Sequence, residues 1–290
     1  MKFGLFFVNV GAFAEPEPFA NLVTTAEACG FESLWTVEHV VIPVGYQATY
    51  PYDPSGKIPI PSNTALPDPL APLAFAAAIT KTIKLGTGIV ILPQRHPFYI
   101  AKEAATIDVL SKGRLMLGVG IGWMKDEFDA LGIPFEERAG RTDETLRAMR
   151  SLWRGDPESF TSPYFSWGPV EMYPKPVSPA GVHIVIGGHS KASARRAARF
   201  GDGFFPAVGE PAQVEALRAV IVEECAKVGR RVEDIEITAL LPREDPALIE
   251  AFAAVGVSRL LIGYGMGGAA TPPTVEDWLG GFASRFIGGR

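Results

Sequence analysis

Runs of apolar residues of strand length recur along this chain, separated by segments with a 3.6-residue period. Eight such runs stand out: "FGLFFVN" (3–9), "SLWTV" (33–37), "IKLGTGIVIL" (83–92), "RLMLGVGI" (114–121), "VHIVIGG" (182–188), "DGFFPAV" (202–208), "IEITALL" (235–241) and "RLLIGY" (259–264). Runs apolar on both faces suit strands covered by helices on either side, as in a parallel sheet. The segments between them carry helical stripes: Phe19, Leu22, Val23, Ala26 and Cys29; Ile100, Ala104, Ile107 and Leu110; Val214, Leu217, Ile221, Ala226 and Val228. Pro97 and Gly113 bracket a helix over about 98–111, and Gly30 ends the first one. Eight alternating β and α units over roughly 250 residues predict an α/β fold, a (β/α)8 TIM barrel.

Two segments break the alternation. Residues 43–72 form a Pro-rich excursion after the second strand, and 157–181 hold aromatic, strand-like pieces before the fifth. In a barrel the excursion after a strand lies on the C-terminal face, where active sites are built; a segment before a strand belongs to the side or bottom. Residues 1–290 are read as a single domain, with no internal repeat or linker.

Composition narrows the partners. The chain is 47% hydrophobic with 27 basic against 32 acidic residues, a formal charge of −5, and its Lys and Arg are scattered. This points to a small-molecule partner rather than nucleic acid or a membrane surface. Cys29 and Cys225 have no metal-like spacing, and "MKFGLFFVNV" is too short to span a bilayer and lacks the marks of a secretory signal. The expectation is a cytoplasmic protein without a metal site.

The candidate chemistry lies at strand ends. Glu38 and His39 fall where the second strand leaves the core, so that His39 is either a functional group at the mouth or a hydrogen-bonded structural histidine. Adjacent strand residues face opposite ways, and Glu38 either orients His39 or points elsewhere. Thr87 and Gly88, small residues in an otherwise bulky strand, suggest a flat ligand against the backbone or a bulge. Arg95 and His96 follow, and a surface loop is their plain reading. Gly118, Gly120 and Gly122 lack the third spacing of a dinucleotide fingerprint and read instead as backbone clearance. The strand at 183–186 turns through Gly187 and Gly188 into a helix beginning near Ser190. That turn is a cradle for a phosphate or simply a tight turn capped by Ser190. A mouth so poor in acid–base groups is what a cofactor-dependent enzyme requires.

Three blocks, "GFESLWTVEHVVIP", "KLGTGIVILPQRHPFYIAKEAATIDVLSKGRLMLGVGIGW" and "IVIGGHSKASARRAARFGDGFFP", resemble in order and spacing the luciferase-like superfamily of flavin and deazaflavin oxidoreductases, most closely its F420-dependent branch. The resemblance covers nearly the whole chain. It implies a barrel with the cofactor ring across its C-terminal mouth and a non-prolyl cis peptide at Gly88–Ile89 backing the ring. His39, after Glu38, would be the polar group nearest the chemistry. Thr87, Gly88 and Ile89, then Gly120, Ile121 and Gly122, would line the cofactor, and Gly187, Gly188, His189 and Ser190 would hold its phosphate. Trp123 departs from the family's sugar-phosphate dehydrogenases, which carry a glutamate there, and it suggests a more apolar substrate met also by Phe13, Trp35, Tyr46 and Tyr50.

The activity so implied is hydride transfer between coenzyme F420 and a small, apolar organic substrate, in a homodimer. The acidic tail of F420 would favour Lys191, Arg195 and Arg95 beside the mouth. An FMN-dependent monooxygenase using reduced flavin and oxygen is the alternative, and a non-catalytic flavin- or F420-binding protein is the alternative of another class.

Overall fold

The computed structural model describes residues 1–155, 157–264 and 274–288. All eight expected runs are strands of one closed parallel barrel. In barrel order these are β1 (Lys2–Phe6), β2 (Ser33–Thr36), β3 (Lys84–Thr87), β5 (Leu115–Gly120), β8 (His183–Gly187), β9 (Gly203–Phe205), β10 (Glu236–Leu240) and β11 (Arg259–Gly263), with β11 pairing back onto β1. The third run is interrupted after Thr87, and its remainder, β4 (Val90–Ile91), pairs with β5 beyond a bulge.

Helices α1 (Pro16–Ala28), α2 (Leu70–Ile79), α3 (Pro97–Leu110), α4 (Lys125–Ala130), α5 (Arg138–Arg154), α6 (Lys191–Phe200), α7 (Pro211–Val228), α8 (Pro246–Ala254) and α9 (Val275–Phe286) follow the strands. Their predicted stripes are buried with exceptions at the ends. Leu110 is exposed in the last position of α3, and on α7 Glu224 and Cys225 turn inward while Ala226 and Val228 face outward. The antiparallel hairpin β6 (Glu158–Thr161) and β7 (Ser166–Val170) accounts for the aromatic pieces before β8. None of the helices among the described residues is long and apolar enough to cross a membrane.

The barrel interior is filled by Phe6, Trp35, Met116, Val185, Phe205 and Leu261. Trp35 was expected in the substrate pocket, and here the structure corrects the reading: the residue is fully buried, and its indole N–H donates to Ser33 Oγ at 2.9 Å. Its ring lies where Gly86 has no side chain, since a Cβ there would sit 2.6 Å from Trp35 Cδ2. Size complementarity between neighbouring strands places this tryptophan in the core.

Below it, the N-terminal end of the barrel is closed by the fully buried Arg259. Its guanidinium grips Glu32 with two bonds of 2.7 and 2.8 Å and also reaches Glu236 and Thr238. Burial alone would raise the Glu236 carboxyl, but Lys2 and Arg259 outweigh it and bring it down to about 2. A cavity of about 610 Å3 at this same end, lined by Arg147, Arg150, Arg154, Arg199 and Arg230, lies where helices α5 to α7 terminate. Arg154 and Arg230 donate there to carbonyls near the ends of α5 and α6, and Arg150 to the segment before β8, so these cations serve the fold.

Candidate active site

The C-terminal ends of β2, β3, β5 and β8 are neighbours in the barrel, so the residues that follow them share one mouth. The peptide between Gly88 and Ile89 is cis, as the resemblance implied. The bulge there is fixed from both sides: Gly88 N–H donates to Thr36 O at 2.7 Å, and the Thr87 hydroxyl donates to Gly118 O at 2.7 Å. Gly118 is obligatory, because a Cβ on it would fall 1.8 Å from Thr87 O.

Gly120, read as clearance for a flat ligand or a neighbouring chain, makes room for a side chain of the bulge, and Gly187 at the end of β8 does the same. Cβ atoms on Gly120 and Gly187 would lie 2.7 and 2.6 Å from the side chain of Ile89. Ile89, half-buried, thus forms an apolar floor at the mouth, inserted between two strands stripped of side chains. Gly122, with φ +76°, faces Phe128 and Ile91 instead. Ile121 lies half-buried between these two glycines.

Glu38 and His39 diverge. Of the two readings for Glu38, the structure gives the one in which it points away from His39, which removes it as a catalytic partner: its buried carboxylate turns back to accept from Ile91 N–H and from Arg95. It braces the far side of the bulge. Arg95 in turn bonds Asp68 at 2.8 Å and lies 3.6 Å from Glu103, so this arginine, expected as an anchor for an acidic tail, is already matched by three carboxylates. His96 caps α3, its Nδ1 accepting from Phe98 N–H, and takes no part in the mouth.

His39 finds a carboxylate that sequence reading missed. Its Nδ1 lies 3.0 Å from Glu127 Oε2, and Glu127, fully buried in the first turn of α4, also accepts Val40 N–H at 2.7 Å and Val41 N–H at 3.3 Å through Oε1. Asp126 beside it accepts the N–H groups of Gln47 and Ala48. Another unforeseen residue is Asn9, which is fully buried and bonds both the N–H and the C=O of Val37, fixing the end of β2.

Trp123 is the hub of an aromatic arc. Ring centroids lie 5.7 Å from His39, 5.9 Å from Tyr46 and 5.1 Å from Tyr50; Tyr50 continues to Tyr52 at 5.4 Å, and Tyr52 to His189 at 5.0 Å. Edge-to-face packing therefore carries the 43–72 excursion across the mouth, from the end of β2 to the turn after β8. Burial, then Asp53, raises the Tyr50 phenol above its ordinary range, so it remains a neutral hydrogen-bonding group. Phe13 is not part of this arc; its ring packs on Tyr264 at 5.8 Å.

The turn after β8 has both features weighed from sequence. Ser190 caps α6 with a reciprocal Ser190–Ser193 box, and Gly188 takes φ +118°. The cap satisfies Ser193 N–H and leaves those of Lys191 and Ala192 without intrahelical acceptors. Lys191 and Arg195 are exposed on this first stretch of helix and, among the described residues, neither pairs with a carboxylate. Cations at a helix N-terminus oppose its dipole, and an anion bound there would reverse that penalty.

The family model described as luciferase-like monooxygenase matches residues 1–243. The chain belongs to this family. An uncharacterised protein of Mycobacterium tuberculosis is 30% identical over 264 residues, 91% of this chain and 92% of that one. An F420-dependent glucose-6-phosphate dehydrogenase of Nocardia farcinica is 36% identical over 178 residues, 59% of this chain and 52% of its own. Among solved structures, the monooxygenase RslO1 of Streptomyces bottropensis superposes with a TM-score of 0.76 at 24% identity, covering 99% of both chains. An F420-dependent secondary alcohol dehydrogenase bound to an F420–acetone adduct does so with a TM-score of 0.76 at 18% identity, covering 100% and 99%. This family includes F420- or flavin-dependent oxidoreductases and monooxygenases, and the likeness to the two solved structures is one of fold.

Proposed function

We propose that this protein is an oxidoreductase that binds coenzyme F420 across the barrel mouth and exchanges a hydride with a small, apolar organic substrate. The observation that carries the choice of F420 is the pair of uncompensated cations, Lys191 and Arg195, on the helix that opens from the Gly187–Gly188 turn. A deazaflavin with an acidic tail uses both the bare N–H groups and the cations, whereas FMN has one phosphate to place. The chain's residues fit such a group: an apolar floor at Ile89, a polar side at His39, and an anion cradle at Gly188, His189 and Ser190.

Bound there, the deazaflavin would supply the hydride-carrying carbon. The protein would supply the rest: Ile89 supports the flat ring from below, His39 exchanges a proton at the polar atom of the substrate, and Trp123 with Tyr46 and Tyr50 excludes water and favours apolar substrates. Exposed Phe75 and Ile79 on α2 and Leu110 on the adjoining α3 support the further reading that two copies pair.

The family's description as luciferase-like monooxygenase supports a second reading, a monooxygenase, for which FMN would be the cofactor. Equilibrium binding of the purified apoprotein to F420 and to FMN, followed by tryptophan quenching at two salt concentrations, separates the two. Tight, salt-sensitive binding of F420 with weak binding of FMN supports the proposal; preference for FMN overturns it.

A further inference from the structure

We infer that Glu127 is a positioning residue that sets the tautomer of His39, holding the proton on Nδ1 so that Nε2 is offered to the mouth as a proton acceptor. The geometry leaves Glu127 little choice. Its Oε1 already accepts two peptide N–H groups, from Val40 and Val41, and only Oε2, 3.0 Å from His39 Nδ1, remains for the imidazole. A carboxylate has acceptors alone, so the proton between them belongs to the ring.

Among the described residues no Lys or Arg pairs with Glu127, in contrast to buried Glu38, which meets Arg95, and Glu224, which meets Arg199. His39 Nε2 bonds to no group among the described residues and is not sealed from solvent. The imidazole is also fixed in plane by the edge-to-face contact with Trp123. A buried acid that orients one ring nitrogen while freeing the other is how a histidine is prepared for proton exchange.

The same turn of α4 couples this setting to the cover of the site. Asp126 and Glu127 together accept four N–H groups, from Val40, Val41, Gln47 and Ala48. The stretch 40–48 is thus held at both ends, and Tyr46 within it is brought onto Trp123.

The test is the substitution Glu127→Gln. The two peptide donors will claim its amide oxygen, leaving the amide N–H2 opposite Nδ1 and moving the ring proton to Nε2. Imidazole 15N shifts of histidine-labelled protein, with His39 assigned by His39→Asn, read the tautomer directly and without a cofactor. The native protein should show a protonated Nδ1 and bare Nε2; Glu127→Gln should exchange them, and Glu127→Asp should retain the native pattern. The catalytic consequence rests on the oxidoreductase reading: with turnover established, kcat should fall on the order of 100-fold or more with KM little changed, and its dependence on pH should alter. A native His39 protonated on Nε2, or a tautomer indifferent to Glu127→Gln, overturns the inference. Failure to bind F420 or FMN would instead defeat the functional reading and leave the tautomer measurement standing. If Glu127→Gln does not fold, the native and Glu127→Asp spectra still decide.

Discussion

Ile89 occupies the space that Gly187 leaves at the end of β8: a Cβ on Gly187 would come within 2.6 Å of Ile89 Cγ2. The same side chain fills the space at Gly120. One residue of the bulge on the third strand is thereby keyed into the two strands that follow it, and the floor of the mouth is built from sequence-distant positions.

Gly187→Ala should therefore displace a β-branched side chain, stiff at χ1, that also fills the space at Gly120. The expected cost is about 1–3 kcal/mol of stability, with a loss of cofactor affinity. Combining it with Ile89→Ala should recover part of the stability lost, since the clash disappears with the isoleucine. Urea unfolding of the two single variants and the double variant checks this, and additive losses would show that the contact is not what requires the glycine.

The barrel and its strand ends were legible because a parallel strand buried on both faces leaves a continuous apolar run, as at 183–187, and because Gly187, Gly188 and Ser190 write a turn and a cap in adjacent letters. What adjacency does not encode stayed hidden. His39 and Glu127 are 88 positions apart and meet only because the barrel brings the ends of β2 and β5, on either side of β3, to one mouth, and nothing in "WMKDEF" marks its glutamate as a partner for a histidine. Trp35 and Trp123 look alike in sequence, both aromatic near a strand; what sends one into the core is the absence of a side chain at Gly86 on the next strand. Glu38 and His39 illustrate the alternation rule at work, one turning to Arg95 and the other to the mouth.

Acid should loosen the bottom of the barrel first. Glu236 is held at about 2 in the folded protein against an ordinary value of 4.5. Its folded pKa is depressed, so its contribution is complete above about pH 4.5 and is lost as pH falls toward 2. Part of the side chain remains exposed, which limits the effect to about 2 kcal/mol. Unfolding free energies measured from pH 6 to 2 should fall through this window, and Glu236→Gln should flatten the slope there.

Arg95→Gln should affect stability before it affects ligand binding. The substitution removes the guanidinium from Glu38, whose side chain is 1% exposed, and leaves that carboxylate with only Ile91 N–H. Breaking a buried pair on one side costs about 3–5 kcal/mol. Replacing both partners, Glu38→Gln with Arg95→Gln, should cost less than Arg95→Gln alone. A lowered F420 affinity in a variant of unchanged stability would return Arg95 to the role of a tail anchor.

Lys191→Gln and Arg195→Gln should do the opposite. Both side chains are exposed and, among the described residues, free of carboxylate partners, so their removal should leave the unfolding free energy within about 0.5 kcal/mol of the native value. Relieving Lys191 in the first turn of α6 removes a repulsion with the helix dipole and offsets what little is lost. F420 affinity, in contrast, should fall several-fold for each substitution and lose its dependence on salt in the double variant, because the attraction between the acidic tail and these cations is what salt screens. FMN, with one phosphate seated on the backbone N–H groups, should respond less. Titrations of both cofactors against the double variant at low and high salt make the comparison. Equal losses for the two ligands would place the cations at the shared phosphate rather than along a tail, and would remove the feature on which the preference for F420 rests.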